Sequence, residues 1–349
     1  MSFRPVIEIG GRAVGGGAPC YVIAEAGANH NRDLGVAREL IDVAAEAGAD
    51  AVKFQTYTGA GLYSSKTPRF TYLQDDRSPQ ELLEAISLPR EWQPKLAEHA
   101  RDRGIHFFSS PFDHEAVDGL AALGVPAMKI ASFEIVDLPL IRKAASARVP
   151  IIVSTGMAVY GEIEDALGAV AEAGNEEVAL LRCASVYPAA PDIMNLRSMA
   201  TMRAAFGVPV GLSDHTLGIA VPTGAAALGM DVLEKHFTLS RDMEGPDHPF
   251  AIEPDELRAL VSAVRAVESA LGTGRLEGPS EAERGEMFRL ARRSLIAACD
   301  IPAGTEITAA MLTIKRPGFG IAPKHMELVV GRTARVDIEE DDIVTWEMV

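Results

Sequence analysis

The sequence predicts an α/β protein, a (β/α)8 barrel followed by a small β-rich domain. Three observations carry that prediction. Eight short, nearly unbroken apolar runs alternate with amphipathic stretches of helical period, the pattern of a parallel sheet covered by helices, and eight such units close a barrel. Nearly every apolar run ends on a polar residue. From Arg292 onward the pattern changes to short β-rich pieces separated by Pro and Gly turns, which marks a second domain.

The elements follow in order. The N-terminal text, MSFRPVIEIGGRAVGGGAP, reads as short strands around a glycine turn and lacks the long apolar core of a signal peptide. The eight strands are expected at Cys20–Glu25, Ala49–Thr56, Ile105–Ser110, Ala127–Ser132, Pro150–Thr155, Val178–Ser185, Pro209–Asp214 and Val232–Phe237. Helix starts are signalled by Asp33, Pro89 and Asp137, and most helices close on a glycine, among them Gly48, Gly124 and Gly272. A doubly wound open sheet is the alternative, but no GxGxxG follows the first strand, and GGRAVGGG precedes it. The long connection Tyr57–Ser78, TYLQDD included, is expected to be a lid over the barrel mouth, with a merely variable loop as the alternative. The domains are expected at 1–275 for the barrel, 276–290 for a polar linker and 291–349 for the β-rich domain.

Composition narrows the function. The chain has 349 residues, 48% of them hydrophobic and 23% charged, with no apolar segment long enough for a membrane span. Its net charge of −16 opposes general attraction to nucleic acid or anionic lipid, so an anionic ligand must meet a local positive cluster. Cys20, Cys183 and Cys299 are far apart and show no CxxC spacing, so a reducing cytoplasm is the simplest compartment.

In a (β/α)8 barrel the active site lies at the C-terminal ends of the strands. Here those ends offer Glu25, Lys53 with Gln55, Ser110, Lys129 with Ser132 and Glu134, Ser154, Ser185 with Tyr187, Ser213 with His215, and Glu234 with His236. His215 and His236 close neighbouring strands, where two imidazoles can converge on one divalent ion, or equally serve as core or phosphate contacts. Lys53 and Lys129 stand in apolar strands, where an unpaired ammonium is costly. A bound anion is the economical explanation. Internal pairing with Glu25 or Glu134 is the bland one, and a Schiff-base lysine is a third. The ring of Ser110, Ser132, Ser154, Ser185 and Ser213 suits phosphate or carboxylate oxygens, although each serine alone could be a turn residue. Glu25 and Glu134 suit proton transfer or sugar-hydroxyl binding, or are solvated loop carboxylates.

The segments IAEAGANHN, GADAVKFQTY, KIASFE, STGM, GLSDHTLGI, EKHFTL and GPDH, followed by RRSLIA and KRPGFG, resemble the NeuB-type sialic acid synthase family from about residue 18 to the end. The resemblance implies a TIM barrel with a C-terminal antifreeze-like domain (SAF, a β-clip fold), in a transferase that condenses phosphoenolpyruvate with an N-acyl hexosamine such as N-acetylmannosamine. The product is a nine-carbon nonulosonic acid, and phosphate leaves by C–O cleavage. It further implies a divalent manganese or magnesium ion on His215 and His236. Phosphoenolpyruvate would lie on Lys53, Ser110, Lys129, Ser132, Ser154, Ser185 and Ser213, and the open-chain sugar on Glu25, Gln55, Tyr187 and Asp247. Glu134 would help the water that attacks C2, and Arg316 would complete the sugar site of the other subunit in a domain-swapped homodimer.

The departures bear on the sugar. Arg32 stands in ANHNRDL where the family often has glycine, which implies a shifted loop or an altered sugar contact. SSPF and KIASFE are similar to pseudaminic acid synthases, whereas GPDH is similar to the sialic, legionaminic and spore-coat branches. N,N'-diacetyllegionaminate or pseudaminate synthesis is therefore the alternative within the family. Outside it stand a pyruvate aldolase of Schiff-base type and a carbohydrate-binding protein without activity.

Overall fold

The computed structural model describes residues 3–69 and 77–349. The chain divides into two compact units, Met1–Gly272 and Thr273–Val349. The first opens with an antiparallel hairpin of β1 (Val6–Ile9) and β2 (Arg12–Gly15). Eight parallel strands follow, each joined to the next by a helix-bearing connection. They are β3 (Tyr21–Gly27), β4 (Ala51–Thr56), β5 (His106–Pro111), β6 (Met128–Ile130), β7 (Ile151–Ser154), β8 (Val178–Cys183), β9 (Val210–Asp214) and β10 (Val232–His236). Their order in the sheet is β5-β4-β3-β10-β9-β8-β7-β6, and β5 and β6 lie beside each other, so the sheet curls into the expected (β/α)8 barrel.

Helices form where the caps are. Asp33 precedes the helix Leu34–Glu46 and accepts from Gly35 N at 2.6 Å and Val36 N at 3.1 Å, satisfying backbone donors that the first turn leaves open. Asp137 does the same for Leu140 N at 3.0 Å before the helix Leu138–Ala145. After Pro89 the chain makes a single 3-10 turn, Arg90–Trp92, before the helix Gln93–Asp102.

β6 falls furthest short of its apolar run. Only Met128–Ile130 joins the sheet, and Ser132–Glu134 turns away as a 3-10 turn. Among the described residues β6 has a hydrogen-bonded ladder with β7 alone, so nothing on its other side holds the chain extended. The turn is what presents Ser132 and Glu134 at the mouth. Residues 70–76, part of the segment Tyr57–Ser78 expected to be a lid, lie outside the described residues. Of the flanking parts, Gly59 N donates to Glu84 Oε2 at 2.9 Å, joining the short helix Gly59–Leu62 to the helix Pro79–Ile86.

The second unit has its own core, which includes Leu295, Ile301, Ile307, Leu312, Ile338 and Val344, around the antiparallel pair β11 (Ser294–Ala297) and β12 (Leu312–Lys315). Between residues 276 and 290 the chain forms a 3-10 turn, Ala282–Arg284, and enters the short helix Glu286–Ala291. No helix among the described residues is long and apolar enough to cross a membrane.

Candidate active site at the barrel mouth

Strand register assembles the site. Glu25 is opposite Lys53 on one side and His236 on the other, Gln55 is opposite Ser110, and Ser213 is opposite Glu234. Because side chains alternate across a strand, residues two apart share a face, and matching registers bring these groups together inside the barrel.

The deepest layer is a network of four buried charges. Lys53 Nζ lies 2.7 Å from Glu25 Oε2 and 3.7 Å from Glu234 Oε2, and donates to Ser110 Oγ at 3.1 Å. Lys129 Nζ lies 3.7 Å from Glu234 Oε1 and donates to Ile130 O at 3.0 Å. Gln55 donates to Glu25 Oε1 at 2.9 Å, and Ser213 to Glu234 Oε1 at 3.0 Å. The two lysines are thus paired within the protein, and their burial needs no bound anion. The carboxylates that pair them are Glu25 and Glu234; Glu134 forms no ion pair among the described residues.

Glu234 is the residue that sequence reasoning saw at a strand end and left without a role. The signal was present, because a carboxylate inside the run Val232–His236 needs a partner as much as a lysine does. Burial pushes Glu25 up to about 7 against the pull of Lys53. It would raise Glu234 as well, but Lys129 and Lys53 together carry that carboxyl below its usual value. Burial also draws the Lys129 ammonium down.

The five serines separate into two kinds. Ser110 and Ser213 are engaged in the charge network, whereas Ser154 Oγ and Ser185 Oγ are buried with no hydrogen-bond partner among the described residues. Ser132 Oγ accepts from Gly156 N at 3.0 Å. A Cβ on Gly156 would fall 2.2 Å from Ser185 Oγ and 2.8 Å from Ser132 Oγ, so only glycine lets the STGM turn close on these hydroxyls. Buried hydroxyls rarely go unpaired in a stable core, and two together beside a backbone donor mark a place for a polar ligand. Glu134 Oε2 is likewise buried without a partner, and burial raises its carboxyl to about 7 although Lys129 opposes this.

The two histidines have ring centroids 5.4 Å apart. His215 Nδ1 lies 2.8 Å from Ala184 O. A carbonyl only accepts, so Nδ1 carries a proton, and Nε2 has a lone pair for a ligand when the ring is neutral. Burial disfavours the charged ring, but the contacts with Cys183 and the Ala184 carbonyl outweigh it and raise the His215 pKa. His236 Nδ1 has no hydrogen-bond partner and stands 3.8 Å from Asp247 Oδ2. Burial, with His215 and Lys53 adding to it, holds the His236 imidazole neutral, far below its ordinary pKa. Burial pushes Asp247 up to about 6. The Tyr187 ring packs 4.1 Å from that of His215. Among the described residues no three His, Cys, Asp or Glu side chains are arranged to hold a metal ion together, so a cation held by the two imidazoles would complete its shell with water or ligand oxygen.

Gly27 joins these groups. It follows a bulge in β3 at φ +49°, and a Cβ there would lie 3.0 Å from Asp247 Oδ2 and 3.5 Å from both Glu25 Oε1 and His236 Nδ1. Its sequence signal was the glycine directly after the first strand's carboxylate. Asn31 and Arg32 follow at φ +47° and +56°, a left-handed pair unusual for residues other than glycine. The loop therefore keeps a glycine-like backbone while Arg32 Nη1 donates to Glu84 O at 2.8 Å. Arg316 is exposed after β12 in the second unit, with no ion-pair partner among the described residues.

Two family models match the chain: the NeuB family over residues 40–276 and the SAF domain over residues 292–349. The chain belongs to the NeuB family. Its relatives include the N,N'-diacetyllegionaminic acid synthase of Legionella pneumophila, 39% identical over 95% of each chain. The pseudaminic acid synthase of Helicobacter pylori is 39% identical over 90% of this chain and 94% of its own. A crystal structure of N-acetylneuraminic acid synthetase from Leptospira borgpetersenii, in complex with citrate, covers 82% of this NeuB-family chain and 96% of that one at a TM-score of 0.72 and 33% identity. Three named nonulosonic acid synthases with different products thus resemble one NeuB scaffold.

Proposed function

We propose that this NeuB-family protein is a phosphoenolpyruvate-condensing synthase of a nonulosonic acid. The observation that carries the reading is the pair of unpartnered buried hydroxyls, Ser154 and Ser185, on the same mouth as two buried lysines and two neighbouring imidazoles. Hydroxyls and ammonium groups suit a phosphate and a carboxylate.

Phosphoenolpyruvate would lie on Lys53, Lys129 and the serines 110, 132, 154, 185 and 213. Two lysines and two carboxylates leave the empty network neutral, so an anion is favoured once a carboxylate accepts a proton. Glu25, at about 7, is the group poised to do so at neutral pH. The donor set fits a divalent ion, since His215 in its neutral form offers Nε2 while Nδ1 faces Ala184 O, and His236 has an unpartnered nitrogen; these two residues would hold manganese or magnesium. When bound, such an ion polarises the aldehyde oxygen of the sugar for attack by C3 of phosphoenolpyruvate.

The open-chain N-acyl hexosamine would be bound by Gln55, Tyr187, Asp247 and Glu25. A C–C bond forms between C3 and the aldehyde carbon, whose oxygen takes up a proton. Glu134, as its carboxylate, takes a proton from the water that attacks C2. The C2–O bond then breaks and phosphate leaves.

The exposed apolar side chains of Phe133, Met157, Val159, Val186 and Leu217, which follow β6 to β9 around the mouth, support a dimer in which a second copy covers this rim. In that arrangement Arg316 of the second copy would complete the sugar site. The sugar is an N-acetylmannosamine or a diacetamido-trideoxyhexose, the second reading being favoured by the legionaminic and pseudaminic synthases among the relatives.

The test is phosphate release from phosphoenolpyruvate with a panel of both sugar types, with EDTA and with manganese added back. Release that needs one sugar and returns with manganese is expected. Phosphoenolpyruvate that binds but is not consumed with any sugar would sink the proposed acceptor class. Trapping of pyruvate by borohydride would turn the reading towards a Schiff-base aldolase.

A further inference from the structure

We infer that Asp214 and Lys235, a buried ion pair on the outer face of the barrel sheet, set the spacing of His215 and His236 and act as positioning residues for the cation site. The inference rests on the metal reading proposed above. It starts from sequence adjacency, since Asp214 immediately precedes His215 and Lys235 immediately precedes His236. The two are direct register partners on β9 and β10. Their neighbours Ser213 and Glu234 meet inside the barrel, so by alternation Asp214 and Lys235 project to the opposite, helix-facing side.

Lys235 Nζ lies 2.6 Å from Asp214 Oδ2, with both side chains 2% exposed or less. Asp214 Oδ1 accepts from Thr216 N at 3.2 Å and from Thr216 Oγ1 at 2.9 Å, and Lys235 Nζ also donates to Thr216 O. The pair therefore grips the residue on the far side of His215 and closes the Asp214-His215-Thr216 turn. His215 O in turn accepts from Ala189 N at 2.9 Å.

Stability alone is a poor reason for such a pair, because apolar residues of similar volume serve as well in a buried position. What apolar residues lack is direction. His215 has its own orienting bond, from Nδ1 to Ala184 O, whereas His236 Nδ1 has no hydrogen-bond partner. His236 is therefore placed by the end of β10, and Lys235 ties that strand end to the turn carrying His215. Groups one step removed from metal-binding histidines commonly act this way, by fixing where the rings point.

The experiment uses the full chain, stripped of metal, and follows manganese binding through the electron paramagnetic resonance signal of free manganese. Calorimetric binding of phosphoenolpyruvate without metal serves as the control for the intact barrel. Lys235→Met is expected to weaken manganese binding by about 10- to 100-fold while phosphoenolpyruvate still binds. Lys235→Arg, which keeps the ion pair, is expected to bind manganese like the wild type. Thr216→Val, which removes one hydroxyl and retains both charges, is expected to weaken manganese binding by a smaller factor, and it decides the matter if Lys235→Met does not fold. Wild-type manganese affinity in a folded Lys235→Met chain would overturn the proposal. So would equal losses of manganese and phosphoenolpyruvate binding in Lys235→Met together with an unaltered Thr216→Val. A wild-type chain that binds no manganese overturns the metal reading itself, and this inference with it.

Discussion

The two ends of the barrel bury ionisable and polar groups to similar depth and treat them in opposite ways. At the N-terminal end every contact closes. Asp50, just before β4, accepts from Val22 N at 2.7 Å and Arg265 Nη2 at 3.0 Å and also pairs with Arg12 of the hairpin. Asp231, just before β10, repeats the device with Val210 N at 2.8 Å and Arg203 at 2.9 Å. Tyr21 and His106 bond at 2.6 Å. At the C-terminal end Ser154 Oγ, Ser185 Oγ, Glu134 Oε2 and His236 Nδ1 are buried with no hydrogen-bond partner among the described residues. Unpaired buried groups cost stability, so their clustering at one end separates the part of the barrel that holds the fold from the part shaped for a ligand.

The comparison breaks if substitutions at the two ends have the same kind of effect. The largest effect is expected at the mouth. His236→Ala should lower metal-dependent phosphate release by about a thousandfold or more while leaving the chain folded, and a rate within tenfold of wild type would remove His236 from the proposed ligand set. Asp50→Ala should do the reverse. It strands Val22 N and Arg265, and should cost about 3 kcal/mol in a denaturant titration with the rate per folded molecule unchanged. A selective loss of rate there would blur the division.

Smaller effects sharpen it. Ser154→Ala and Ser185→Ala remove hydroxyls that bond to nothing in the protein, so stability should hold or rise while KM for phosphoenolpyruvate rises about tenfold, the loss of one hydrogen bond to an anion. An unchanged KM would place the anion elsewhere on the mouth.

The smallest effect concerns Glu134. Burial raises its carboxyl from 4.5 to about 7, so the folded chain holds this proton more tightly than the unfolded one. That contribution to stability is complete below pH 4.5 and is lost as pH rises through about 7. Glu134→Gln should remove this part of the stability slope in the same window. It should also flatten the acid limb of the rate, where the wild type needs the carboxylate. Stability and rate profiles that superimpose on those of the wild type would show that Glu134 does not titrate there.

Much of this architecture was legible in the chain. Each of the eight strands overlaps its expected run, with β3 and β5 continuing past its end, and Asp33 and Asp137 cap helices where their spacing indicated. β6 fell furthest short because its length depends on a neighbouring ladder and not on its own apolar run. In the site, the histidine pair and the serine ring were visible as strand-end residues. Glu25 was visible as a possible partner of Lys53, but Glu234 as partner of both lysines was not, nor was the division of the serines into engaged and free, nor the reach of Arg32 to Glu84.

The sequence by itself determined which residues would close each strand and therefore stand at the mouth, because helical and strand periods, caps and turns are properties of a few consecutive residues. Only the tertiary structure decided which of those groups satisfy one another. Lys53 meets Glu234, Lys235 meets Asp214, and Ser185 meets nothing, because these outcomes depend on the register between strands far apart in the chain and on approaches of a few ångströms that no local pattern contains.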